Sequence, residues 1–184
     1  GIPPRVTARS ALDGLRHPRW SAPFVRHGRF TLGNPPPNHD PADVEWIKKR
    51  WGGKLILKGI LDVEDARLAA DSGADALIVS NHGGRQLDGA PSSIRALPAI
   101  AEAVGSKIEV WMDGGIRSGQ DVLKAVALGA SGTLIGRSFL YGLGAMGEEG
   151  VTRCLQIIAK ELDLTMAFCG RTDIRSVDRT ILLG

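Results

Sequence analysis

Apolar positions are unevenly organised along the chain. Residues 1–40 mix Pro, His and Arg with little periodicity and predict an irregular segment with one short helix near Thr7–Leu15. From residue 41 a regular pattern sets in. Asp43–Trp51 has helical spacing through Val44, Ile47 and Lys48 and ends at Gly52-Gly53. A unit of β-rich run, polar or glycine-rich loop and amphipathic helix then repeats four times. The runs are Leu55–Lys58, Ala76–Ser80, Ile108–Met112 and Gly132–Ile135, and the helices are predicted over Val63–Ser72, Ser93–Val104, Gly119–Leu128 and Glu149–Phe168. Asp62 reads as an N-cap, Ser118 with Asp121 as a capping box, and Gly73, Gly105 and Gly129 as stops.

Strands alternating with helices at this spacing predict right-handed βαβ units and a parallel sheet. The runs are continuously apolar, as expected of strands buried on both faces. The pattern leaves two architectures, an open doubly wound sheet or part of a (β/α)₈ barrel. No G-x-G-x-x-G follows the first strand, so the dinucleotide fingerprint of the open sheet is missing.

Length and composition narrow the class without choosing a function. The 184 residues are 43% hydrophobic and 23% charged, which excludes a disordered or fibrous chain. Twenty-three Lys+Arg against 20 Asp+Glu leave a net charge of +3, too small to argue for nucleic acid. An aromatic fraction of 5% and the lack of a basic stripe also argue against single-stranded nucleic acid. Cys154 and Cys169 lack metal-ligand spacing and read as packing residues of a reducing, cytoplasmic compartment. Trp20, Trp46, Trp51 and Trp111 share no spacing and are expected to pack in the interior. The stretch Asn34–Pro41 is a Pro-rich joint, and the chain, opening at Gly1, reads as a piece of something longer.

Candidate chemistry collects at strand ends. Lys58, Ser80, Asp113 and Gly136-Arg137 each close one of the four runs, and in a barrel all would face the mouth where active sites are built. Lys58 is a fixed cation suited to stabilising negative charge. In Ser80-Asn81-His82-Gly83-Gly84-Arg85-Gln86-Leu87-Asp88, His82 supplies an imidazole that can serve as a general base and Arg85 offers a planar fork for a carboxylate or phosphate. Each alone has a bland reading, a rim lysine or a surface arginine after a glycine turn. Asp113-Gly114-Gly115-Ile116-Arg117 and Gly136-Arg137 stand before helix N-termini, where backbone N–H groups and the helix dipole favour an anion. Arg117 and Arg137 therefore read as phosphate ligands, with Asp113 binding a sugar-like hydroxyl. Helix-capping glycines beside exposed arginines are the competing account.

Together, Lys58-Gly59-Ile60, the Ser80–Asp88 run, Asp113–Arg117 and Gly136-Arg137 resemble the FMN-dependent 2-hydroxy-acid dehydrogenases and oxidases, with bacterial L-lactate dehydrogenases the nearest in look. The resemblance spans residues 41–184 and implies an α/β fold, a (β/α)₈ TIM barrel of which this chain supplies strands five to eight, preceded in 1–40 by an irregular segment and a shortened loop. It implies FMN as cofactor and a small 2-hydroxy acid, first of all L-lactate, as substrate. His82 would be the base that takes the substrate proton as two electrons pass to the flavin, and Arg85 would clamp the substrate carboxylate. Lys58 would face the flavin N1–C2 carbonyl, and Ser80, Asp113, Gly114, Gly115, Arg117, Gly136 and Arg137 would hold ribityl and phosphate. No metal is implied. A quinone, a cytochrome or oxygen would accept the electrons, and the complete protein would be a homo-oligomer, cytoplasmic or peripheral at the inner membrane face. The family's substrate-binding tyrosines have no counterpart, since the single tyrosine, Tyr141, lies beyond the fourth strand. A non-catalytic phosphate- or FMN-binding half-barrel, and a glycolate or other 2-hydroxy-acid oxidase using oxygen, are the alternatives. Barrels that oxidise nucleotides are not supported, because no cysteine follows a strand.

Overall fold

The computed structural model describes residues 15–16 and 41–183. Contacts divide the chain at Asp40/Pro41; of the first unit only Leu15 and Arg16 are described, both helical and exposed. The rest of the predicted Thr7–Leu15 helix, and the proline joint, lie outside the described residues.

The second unit runs α1 (Pro41–Trp51), β1 (Ile56–Ile60), α2 (Val63–Asp71), β2 (Ala76–Val79), α3 (Ser93–Val104), β3 (Glu109–Met112), α4 (Gly119–Ala127), β4 (Gly132–Thr133) and α5 (Arg137–Phe168). Its four strands are parallel and lie in the order β1-β2-β3-β4. Neighbours in sequence are neighbours in space, with no reversal, which is the order of a barrel wall and not of a doubly wound sheet with its switch point. The fold is an α/β arc of a (β/α) barrel.

The punctuation read from the sequence forms as expected. Asp62 accepts from the N–H groups of Glu64 and Asp65 at the start of α2. At α4, Ser118 and Asp121 cap each other reciprocally. The core lies between sheet and helices: Leu77 and Val79 of β2, Leu97, Ile100 and Val104 of α3, and Val110 and Met112 of β3 are each no more than 2% exposed. Burying side chains of this size stabilises the fold by roughly 1.5–3 kcal/mol each.

Three expectations are corrected. Only β2 is buried throughout; β1, with a neighbour on one side only, has no buried position, and β3 alternates exposed or half-buried with buried ones. The last helix does not begin at Glu149. It starts at Arg137 and breaks at Met146-Gly147, where the backbone leaves the helical region. Correspondingly β4 is two residues long, although the Leu134 N–H still reaches the Met112 carbonyl at 2.9 Å. Third, Trp46 and Trp51 are 66% and 69% exposed and do not pack in the interior; Trp111 is half-buried and donates to Glu109 at 2.8 Å. Cys169 is exposed and Cys154 half-buried, so only the second fits a packing residue.

At the N-terminal ends of the strands Asp75 ties three segments together. Its carboxylate accepts from Lys48 of α1, from Lys54 at 2.9 Å and from the Leu55 N–H at 2.7 Å. These donors hold the Asp75 carboxyl well below the usual carboxylate range, and the same contact raises the Lys54 ammonium. Among the described residues no helix is long and apolar enough to cross a membrane, and no group of three His, Cys, Asp or Glu is placed to hold a metal ion.

Candidate active site

The opposite, C-terminal ends of the strands carry the polar side chains. Ser80, the residue after β2, is fully buried. Its hydroxyl accepts from Lys58 Nζ of β1 at 2.8 Å and from the His82 backbone N–H at 3.1 Å. Lys58 Nζ also lies 2.6 Å from Asp113 Oδ2 at the end of β3. The ammonium is thus fixed between a hydroxyl and a carboxylate, which turns a flexible side chain into a positioned cation.

Asp113 presents its second oxygen differently. Oδ1 is buried without a hydrogen-bond partner. An orphaned buried carboxylate oxygen is costly, and a ligand hydroxyl donating to it would remove the cost.

His82 follows in a tight 3₁₀ turn, His82–Gly84, with its own backbone in the left-handed region at φ 55°. That conformation is uncommon outside glycine and is held only where neighbours over-determine it. Here they do. Asn81 accepts from the Gly83 N–H at 3.0 Å and donates to the Pro91 carbonyl at 3.3 Å, while its own N–H donates to the buried Ser93 hydroxyl at 3.2 Å. The loop that carries the imidazole is thereby pinned to the start of α3. Ser93 and Asn81 were not singled out from the sequence; a serine doublet opening a helix was the available signal, and it is Ser93, not the N-cap Ser92, that makes the bond.

Lys58, His82, Arg85, Asp113, Arg117 and Arg137 line one cavity of about 990 Å³, together with Gly114, Gly115 and Gly136. All the residues expected at the mouth are therefore brought together there except Ser80, which lies beneath it and reaches the cavity through Lys58. Tyr141 and Cys154 also line it; the sequence reading gave neither a role.

One expectation about the anion site changes. The N–H groups of Arg117, Ser118, Gly119 and Asp121 at the start of α4 are already taken. Asp121 accepts from Arg117 and Ser118 at 3.0 Å each, and Glu161 of α5 accepts from Gly119 at 3.0 Å. The helix terminus that opens on the cavity without a side-chain cap is that of α5, which begins at Gly136-Arg137. A phosphate here would be met by the arginines and by α5, with Gly114 and Gly115 allowing close approach, and not by the dipole of α4.

This donor set fits a flavin mononucleotide: a positioned cation, a buried acceptor awaiting a hydroxyl, and an arginine-lined helix terminus for a phosphate. Comparison with known proteins agrees. A family model described as FMN-dependent dehydrogenase matches residues 1–183. An L-lactate dehydrogenase of Caulobacter vibrioides (strain NA1000 / CB15N) is 56% identical over 97% of this chain and 52% of its own length. A pre-mycofactocin synthase of Mycolicibacterium smegmatis is 48% identical over 84% of this chain and 38% of its own. Among solved structures, mandelate oxidase with 3,3-difluoro-2-hydroxy-3-phenylpropionic acid superposes with a TM-score of 0.74 at 47% identity, covering 77% of this chain and 43% of that one. The chain thus spans about half the length of the curated relatives it matches. Barrel order in the sheet, the polar strand ends and these matches converge: the chain belongs to the FMN-dependent dehydrogenase family.

Proposed function

We propose that residues 41–184 form the C-terminal half, strands five to eight, of an FMN-binding (β/α)₈ barrel that oxidises a small L-2-hydroxy acid, with L-lactate the first-choice substrate. The observation that carries this reading is the shared cavity, in which His82 and Arg85 stand beside the Lys58–Asp113 pair and the arginines of the phosphate end. The similarity to an L-lactate dehydrogenase over 97% of the chain supports the substrate class.

FMN, when bound, supplies the acceptor for the two electrons released at the substrate's C2. The chain's own residues do the rest. Arg85 receives the substrate carboxylate in a two-pronged ion pair, which fixes the orientation of the hydroxyl-bearing carbon. His82 removes the proton as the hydroxy acid becomes the keto acid. Lys58, held by Ser80 and Asp113, places positive charge where negative charge accumulates on reduction. Asp113 Oδ1 accepts from a ribityl hydroxyl, while Arg117, Arg137 and the α5 terminus take the phosphate.

The test uses the complete protein, this chain together with the residues that fill the rest of its relatives' length. Anaerobic L-lactate should bleach the yellow flavin band, with glycolate and mandelate as comparison substrates. No bleaching by any small 2-hydroxy acid would refute the reading in favour of a non-catalytic flavin- or phosphate-binding barrel. Reoxidation by oxygen, a quinone or cytochrome c then separates an oxidase from a dehydrogenase.

A further inference from the structure

The Lys58-Gly59-Ile60 end of β1 holds a residue with no role so far. Gly59 has φ +101°, and the β1–β2 register shifts there: Lys58 pairs with Ile78, yet Ile60, two residues on, pairs with Val79. The bulge brings its backbone against the imidazole. A Cβ at Gly59 would stand 2.7 Å from His82 Nε2 and 3.4 Å from Cε1, with Cδ2 next at 3.8 Å. The other two sides of the His82 loop are fixed, by Ser80 beneath its N–H and by Asn81 to Ser93.

We propose that Gly59 is a positioning residue for His82: the absence of a side chain in the β1 bulge is what seats the imidazole nitrogen over the mouth. The proposal rests on the reading of His82 as the base. Its physical content lies in which atom must yield. A methyl group at residue 59 carries the backbone cost of φ +101°, and the three atoms nearest it all belong to the His82 ring, the free end of one side chain, so it is the ring that gives way. Ordinary carbon–nitrogen contact is about 3.4 Å or more, so the ring must move by roughly 0.7 Å. Displacements of about 1 Å at reacting groups cost up to about 10²-fold in rate. Beyond that backbone cost, the contact itself adds little to folding and is severe for proton transfer.

Gly73 supplies the control. It has a comparable φ of +87° with nothing within 4 Å of an added Cβ, so Gly73→Ala carries the backbone cost without the contact. In the complete holoenzyme, Gly59→Ala and Gly73→Ala should lower Tm by similar amounts and bind FMN alike. Only Gly59→Ala should lower kcat for L-lactate, by about 10–100-fold with little change in KM, and this loss should vanish in a His82→Ala background. Independently of turnover, the His82 imidazole ¹⁵N resonances (assigned by their absence in His82→Gln) should shift in Gly59→Ala and not in Gly73→Ala. Unchanged kcat and resonances in Gly59→Ala overturn the proposal. So do an equal rate loss in Gly73→Ala, loss of FMN along with rate, or failure of Gly59→Ala to fold where Gly73→Ala folds. If the wild-type enzyme oxidises no 2-hydroxy acid, the functional reading fails, while the resonances still decide whether Gly59 seats the ring.

Discussion

Replacing Asp113 by Asn separates the two oxygens of one carboxylate. Oδ2 receives Lys58 Nζ at 2.6 Å, and Oδ1 is buried and unpartnered. An amide of the same shape must direct its oxygen at the ammonium, since an amide NH₂ facing Lys58 would be repulsive. The NH₂ then occupies the place of Oδ1 and offers a donor where a ribityl hydroxyl needs an acceptor. A hydrogen bond to a charged group contributes roughly 1.5–3 kcal/mol, or about 10–150-fold in Kd. Lys58 is 39% exposed, so solvent screens part of the lost charge and the expected change sits near tenfold. Titrating the complete apoprotein with FMN and following flavin fluorescence measures it. Lumiflavin, which has the ring and no ribityl chain, provides the comparison and should bind both proteins alike. An Asp113→Asn protein that binds FMN within twofold of wild type, or that loses lumiflavin equally, would refute the role given to Oδ1.

Three further outcomes are expected. His82→Ala should retain bound FMN yet lose at least about 10²-fold in the rate of flavin reduction by L-lactate, in line with removal of a general base; stopped-flow absorbance decides it, and near-normal reduction would reassign the base. Asp75 has a lowered carboxyl pKa in the folded state, so its stabilising contribution is present above the ordinary value near pH 3.9 and is lost as pH falls toward the folded one. Urea midpoints of Asp75→Asn should therefore lie below wild type by a constant amount above about pH 5, with the gap closing below about pH 4. Gly119→Ala should destabilise by about 3 kcal/mol or more, at the upper end of overpacking, because its Cβ would fall 2.0 Å from the Leu162 backbone nitrogen on α5; a Tm within a few degrees of wild type would show that the α4–α5 contact can open.

What the sequence made legible was local and chemical. Asp62, Ser118 and Asp121 act on donors within four residues, so their capping needed no knowledge of the tertiary fold. Lys58, His82, Asp113 and Arg137 were recognisable because a polar residue ending an apolar run has one natural place in a barrel, the mouth. Effects that depend on a distant neighbour were not legible. The segment Arg137–Ala145 holds two glycines, Gly142 and Gly144, and reads as a loop by propensity, yet it is helical. Gly142 is required there because its position lies against the Gly150 carbonyl across the break. The capping of the α4 start was not legible for a similar reason, since Glu161, which takes the Gly119 N–H, is 42 residues away. Trp46 and Trp51 show the same limit: helical periodicity says which face of α1 is apolar, not whether anything covers it.

The two ion-paired clusters at opposite ends of β1 have a joint consequence for alignment of the sheet. Lys54, Leu55 and Asp75 meet just before the strand, and Lys58 meets Asp113 and Ser80 near its far end. The strand's one irregularity, at Gly59, falls immediately past the second clamp. A slip of β1 by one residue would turn Lys58 to the opposite face and break contacts at both ends together. The pair of clamps therefore works as a ruler: it measures off the few residues between them and leaves the single extra one just past its end, beside His82.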